Sequence, residues 1–507
     1  MKISEVVELK KFDSVIDLSW GENDEQQERL LSSYIVTEEL EETFVSILES
    51  INGIRSEKRR ELKNSDIDGT VKRAHIISGQ YGTGKSYFLL MLSIILEMKN
   101  TSIIEKILNK FENLEELSYQ INYIKNEKKY LVVRINGETE SEKSFKDVIQ
   151  YQVKKVIDEK FPNEDLKTTY SQYLSYIEES LLGRFEANTK VSVEKLGMDL
   201  EDIKAGLLNY KKEYLIQAKT LIKEVTGLTP QENIESLESF FKDVNLILKR
   251  NGYSEVIIIF DEFSAYLSSS IEAGRNATDL GKIQELAQLT NFNKTEARVT
   301  FIVSTHRELR ALMGNNTVNT KDELEKIFGR FDSHILAFSQ GEDLIKNTLK
   351  LKYQNFINYQ IKYRDYLKEI EDVYKMRLED YYPLHPATVK YLEPVSKNYA
   401  QKIRTTFSFL RETIEQIFFK KEVEENGKLN LVTLSDLYNY FEDSIQTGDK
   451  NIVEVFNQSL REIKNNIDRE DKDLEDFLKA ITTLVVGKLN ADGVYCIQCL
   501  IIEDISS

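Results

Sequence analysis

Hydrophobic positions along this chain fall into two kinds of run. Five runs are short, nearly continuous and rich in β-branched residues, near 74–78, 130–135, 255–260, 299–303 and 334–338. Continuous apolar character with no polar alternation predicts strands covered on both faces, which means a parallel sheet. Almost everything else repeats at helical spacing. Leu40, Phe44, Ile47, Leu48 and Ile51 follow Thr37, a plausible N-cap, with Glu38 and Glu39 suited to a positive helix end. Residues 144–250 and those beyond 340 read as helix with few breakers. The predicted fold is α/β: a parallel-sheet core over 71–340 with a helical insertion at 144–250. Residues 1–70 form a helical lead-in that packs on the core, 341–425 an α-helical lid and 426–507 a further helical region. The charged run SEKRRELKNSDIDG reads as a solvated linker, and the Tyr and Phe stripes of the insertion as core.

The first strand runs into Gly79-Gln80-Tyr81-Gly82-Thr83-Gly84-Lys85-Ser86, and an apolar helical pattern starts at Tyr87. Strand, glycine-rich loop and helix in that order make a phosphate loop, the Walker A pattern of a P-loop nucleotide site. The glycines let successive N–H groups and the positive helix end converge on one set of phosphates. Lys85 is placed to reach the β- and γ-phosphates of ATP, and the Ser86 hydroxyl to ligate Mg²⁺. The run Val256 to Phe260 delivers Asp261 and Glu262 to the carboxyl end of a strand, where α/β sheets bind ligands. This is a Walker B pattern, with Asp261 holding the Mg²⁺ shell and Glu262 polarising the attacking water. A kinase reading is disfavoured, because an acid beside Asp261 suits water activation.

Two further positions have two readings each. Ser304, Thr305 or His306 offers a polar tip near the γ-phosphate, or caps the next helix. Where Walker B carries a glutamate, that strand lies between the phosphate-loop strand and the Walker B strand. Arg330, just before the fifth strand, is an arginine-finger candidate for a neighbouring subunit or a helix-end salt-bridge residue. Arg404, ahead of an apolar stretch, can fold back as a lid arginine, whereas His385 between two prolines reads as structural.

Composition narrows the classes. With 41% hydrophobic and 30% charged residues the chain is globular rather than disordered. A net charge of -17 argues against a broad nucleic-acid surface but leaves room for a local basic groove. No apolar run reaches a membrane span and the N-terminus lacks a signal peptide's apolar core, so a cytoplasmic protein is expected. Cys496 and Cys499 form a single C-x-x-C with no second pair, which disfavours a zinc site. The abrupt apolar ending reads as that of a shortened relative of something longer.

The segments GQYGTGKSYFLL, IIIFDEFSAYL, GRFDSHI, PLHPATVKYL and QKIRTTFSFL, with SYIVTEELEETF before them and LVTLSDLYNYF after, resemble the large bacterial phage-defence ATPases of the BrxC/PglY type from BREX systems. The resemblance covers roughly residues 1–445. It implies an AAA+-like ATPase core with a lid and a winged-helix-like region, assembled into oligomers through nucleotide-bridged interfaces and acting with other defence proteins on DNA. It also implies Lys85 and Ser86 as Walker A residues, Asp261 and Glu262 as the Walker B pair, and Arg404 as a sensor-like arginine. The lid block departs from the family in having Ile403 where relatives carry Glu. The alternative reading is a slow nucleotide-dependent switch, STAND-like, that gates a partner.

Overall fold

The five apolar runs become one all-parallel sheet. A computed structural model of the chain describes residues 1–9, 18, 26, 38–56, 72–79, 84–97, 101–109, 114–228, 236–290, 296–306, 326–336, 341–399, 408–448, 450–466 and 472–488. Numbered in chain order, its first seven strands are β1 Val7–Leu9, β2 Ala74–Ser78, β3 Tyr130–Asn136, β4 Glu255–Asp261, β5 Val299–Thr305, β6 Asp332–Ile335 and β7 Leu349–Leu351. The sheet has the neighbour order β3-β4-β5-β2-β6, and all four of its pairs are parallel. Every residue of β2, β4 and β5 is buried, as strands covered on both faces must be. The fifth run is shifted from its expected place: β6 starts at Asp332, ends at Ile335, alternates half-buried with exposed residues and lies at an edge of the sheet.

Five helices position the candidate site: α1 Glu38–Asn52, α2 Lys85–Glu97, α3 Phe145–Lys160, α4 Leu237–Arg250 and α5 Phe263–Glu272. Side chains alternate along each strand, so the sheet has two separate cores. Ala74, Ile76, Ile258, Phe260, Phe301 and Val303 share one with α3, α4 and α5. Ile77, Ile257, Ile259 and Ile302 share the other with α1 and α2. Phe88 to Leu96 of α2 are buried without interruption, the signature of a helix enclosed on all sides. At the amino end of the sheet, buried Glu255 accepts from Arg73 at 2.5 Å and pairs with Arg298 at 2.8 Å. Thr300 Oγ1 donates to the same carboxylate at 2.8 Å, so this charge is fully partnered.

Three domain expectations need correction. The block at 144–250 is helical, yet α3 and α4 at its ends belong to the sheet core. Only the helices between Thr169 and Thr226 have a core of their own, built on Tyr170, Tyr173, Ile177, Ile203, Leu207 and Leu221. The lead-in divides as well: α1 packs on the sheet, but β1 pairs antiparallel with β7, and Ile3, Val6 and Val7 are buried in the C-terminal body. That body is not split at 425. One apolar core runs from Ile345 to Val486, joining the expected lid to the expected C-terminal region. Within it a small hairpin, Glu424–Glu425 with Lys428–Leu429, turns at Asn426 and Gly427, both at positive φ. His385 is structural: its Nδ1 accepts from Ala387 N at 3.1 Å, and burial pushes its pKa down to about 4, keeping it neutral. Among the described residues no helix is long and apolar enough to cross a membrane.

Candidate functional site

The carboxyl ends of β2, β5 and β4 lie side by side and present the residues that the motifs single out. Gly79 N, at the exit of β2, donates to Thr305 O of β5 at 3.2 Å, so the loop leaves the sheet anchored to its neighbour. Gly84, at φ +82°, opens α2, a backbone region that glycine enters without a Cβ penalty. Lys85 follows. It is 4% exposed, and its Nζ donates to Gly79 O at 2.8 Å. Burial pulls the Lys85 pKa down to about 8, against the opposing pull of Glu262 and then Asp261. The two acids therefore act on this lysine across the strand ends. Ser86 and Tyr87 are half-buried on the first turn of α2. Gln80, Tyr81, Gly82, Thr83 and Arg404 lie outside the described residues, as do Thr37, Cys496 and Cys499.

The acidic pair is held by β5. Ile77 of β2 registers with Ser304, and β4 runs on the other side of β5, so β5 separates the phosphate-loop strand from the Walker B strand. Ser304 is fully buried and its Oγ donates to Asp261 Oδ1. Glu262 N donates to Asp261 Oδ1 at 3.0 Å and to Ser304 Oγ at 3.1 Å. Ser304 is thus engaged in positioning the acids rather than offered as a free polar tip. Glu262 itself has φ 53° and ψ 36°, left-handed backbone that a non-glycine residue enters at a cost of about 1–3 kcal/mol. Its carboxylate Oε2 meets Nε2 of His306, whose backbone N donates to Ser264 Oγ of α5 at 3.2 Å. Of the three polar candidates on the strand tip, His306 is the one on the Glu262 carboxylate. Thr305 Oγ1 is buried and has no hydrogen-bond partner among the described residues.

Arg330 ends the short helical segment before β6. Its Nη1 donates to Lys326 O at 2.9 Å, and among the described residues it forms no ion pair with a carboxylate. The salt-bridge reading of Arg330 therefore has no partner there.

One residue of the site carries no motif. Gly137 follows β3 directly, and its N donates to Asp261 O at 2.9 Å. A Cβ built there would lie 2.3 Å from Glu262 O and 3.1 Å from the Phe260 ring, so the position cannot hold a side chain unless the Asp261-Glu262 turn moves. Gly137→Ala should cost about 1–3 kcal/mol, the usual penalty for overpacking, and displace the Glu262 carboxylate. A urea titration checks it: a midpoint equal to that of the wild type would mean the backbones are not this close. The only sequence signal is the Asn136-Gly137 dipeptide, which marks a turn without saying what packs on it.

Fold and site together define an α/β protein with a five-stranded all-parallel sheet, compatible with a P-loop-like nucleotide core. No protein-family model, no curated protein and no solved structure matches the chain.

Proposed function

We propose that this chain is an ATP-hydrolysing, AAA+-like subunit of a bacterial anti-phage defence complex. One observation carries the ATPase part: Lys85 at the end of β2 and the Asp261-Glu262 pair at the end of β4 flank β5, whose Ser304 ties the acids together. The residues present fit a magnesium nucleotide, with a buried cation under the pull of two carboxylates and a glycine-opened helix start beside them. In this reading the loop 79–84, Lys85 and Tyr87 hold the triphosphate, with Arg404 as the sensor-like arginine that the sequence resemblance implies. Ser86 and Asp261 hold Mg²⁺, which when bound offsets phosphate charge. Glu262 accepts a proton from the attacking water. The defence role, the homo-oligomer, the partner proteins, the cytoplasmic setting and action on DNA through a local groove rest on the sequence resemblance.

A second reading, a slow nucleotide-dependent switch gating a partner effector, is favoured by the Glu262 carboxylate being engaged by His306. Steady-state phosphate release with and without DNA separates the two. Multiple turnovers support the ATPase, while retained nucleotide with almost no turnover supports the switch.

The depressed Lys85 adds a pH signature. Below pH 8 the ammonium is already protonated, whereas above it the nucleotide-free chain must regain a proton to meet a triphosphate. The dissociation constant for Mg-ATP should be flat near neutrality and climb by up to about tenfold per pH unit above 8. Lys85→Arg, charged throughout, should show no such climb in the same titration; equal slopes would remove Lys85 from the phosphate contact.

A further inference from the structure

Away from the strand ends discussed above, the pairing of β2 with β6 collects three ligand-bearing side chains. The parallel register sets His75 opposite Asp332, and His334 stands two residues further along β6. Opposed residues share a face of a sheet, and so do residues two apart, so all three project to the face covered by α1. One ligand atom from each lies within 4.8 Å of the others. We propose that His75, His334 and Asp332 bind one transition-metal dication of the zinc type, fastening the phosphate-loop strand to the edge strand of the sheet.

The hydrogen bonding around His75 presents the nitrogen that a metal needs. Ser50 Oγ of α1 donates to Ile47 O at 2.9 Å, which commits the hydroxyl proton. The hydroxyl oxygen is left to accept from His75 Nε2 at 2.6 Å. That bond places the ring proton on Nε2 and leaves a lone pair on Nδ1, as a partner on the far nitrogen does for metal-ligating histidines. His75 is fully buried. Its Nδ1 faces His334 Nε2 at 3.2 Å. Two nitrogens at about 2.0–2.1 Å from a tetrahedral zinc ion stand about 3.3 Å apart, so the ring pair is already at ligand spacing. Asp332 Oδ2 lies 3.7 Å from His334 Nε2, and its side chain is 50% exposed, which lets the carboxylate close on an ion without disturbing the core.

The donor set chooses the class of ion. Two imidazoles and one carboxylate suit zinc, cobalt or nickel, whereas magnesium and calcium prefer oxygen ligands throughout. Water completes the fourth position from the side of Asp332. The rival arrangement is a direct hydrogen bond, with His334 Nε2 donating to His75 Nδ1 and no ion bound.

The experiment uses the full chain without a histidine tag, with Cys496 and Cys499 changed to Ser so that their thiolates cannot compete. Chelator-treated protein is titrated with zinc against a chromophoric chelator, and with cobalt followed through its visible d–d bands. The expected result is one equivalent of either metal, four-coordinate cobalt bands and a higher thermal midpoint with zinc. His334→Gln and Asp332→Asn, at half-buried positions on the edge strand, should each weaken zinc by at least about tenfold. Their metal-free circular dichroism and thermal midpoint should stay those of the metal-free parent. Sub-stoichiometric binding by the parent, or equal affinity in both folded variants, would overturn the site and leave the two rings as a hydrogen-bonded pair.

Discussion

Replacing Glu262 by glutamine should leave Mg-ATP bound within a few-fold and lower steady-state phosphate release by roughly 10²-fold or more, the usual range for losing a general base. The substitution keeps the shape of a side chain whose backbone is already fixed, by the hydrogen bonds of Glu262 N to Asp261 and Ser304 and by left-handed φ and ψ. The proton-accepting oxygen is lost, and with it the carboxylate that His306 engages. The loss should therefore fall on turnover rather than affinity, the pattern of an interaction made in the transition state. Asp261→Asn should disturb metal binding instead, because Asp261 is the acid that Ser304 bonds. If Glu262→Gln turned over like the wild type while Asp261→Asn was inactive, Glu262 would have no role as base.

The second large effect is expected at Arg330. Its guanidinium donates to the Lys326 carbonyl of the preceding helical turn and, among the described residues, pairs with no carboxylate. Among the described residues Lys85 is the cation on which Glu262 and Asp261 act, and an arginine supplied by a neighbouring subunit contributes roughly 10³ to 10⁵ in rate to phosphoryl transfer. Specific activity should thus rise with protein concentration. Arg330→Ala should reduce turnover by a comparable factor while leaving nucleotide affinity within a few-fold. Mixing tests the geometry: Lys85→Ala chains retain Arg330, and Arg330→Ala chains retain the loop. Partial recovery of hydrolysis in the mixture means that one chain completes another's site. Activity independent of concentration, with no recovery on mixing, would leave Arg330 as a helix-end residue.

Much of the sheet was legible because its signals are local. Ala74–Ser78, Tyr130–Asn136, Glu255–Asp261 and Val299–Thr305 are strands within two residues of where continuous apolar character predicts them. Asp261 and Glu262 sit where the third of these ends. What stayed hidden depends on pairing across long separations, which leaves no periodic trace. Nothing near Val7 announces Leu351 as its partner, so the sequence reads the first nine residues with the sheet core rather than with the C-terminal body. The expected insertion at 144–250 is too wide for a related reason: helical spacing is the same in Phe145–Lys160, which faces the sheet, as in Lys212–Thr226, which does not. Gly137 could not be recognised at all, since its requirement comes from the Glu262 carbonyl, far along the chain. His306 was one of three polar residues at a strand tip, and only the left-handed turn at Glu262 brings its ring to the carboxylate.

The central claim is that the loop ending in Lys85 binds a magnesium nucleotide, and calorimetric titration of Mg-ATP into the wild type and Lys85→Ala tests it most directly. Lys85 is buried against Gly79 O and under the pull of Glu262 and Asp261, so removing it takes away the cation that would meet the phosphates without taking a side chain from the apolar core. The account predicts one site per chain in the wild type and binding at least about tenfold weaker in Lys85→Ala, as loss of a charge-assisted phosphate contact requires. A wild type that binds no Mg-ATP, or a variant that binds it with the same affinity, would contradict the assignment.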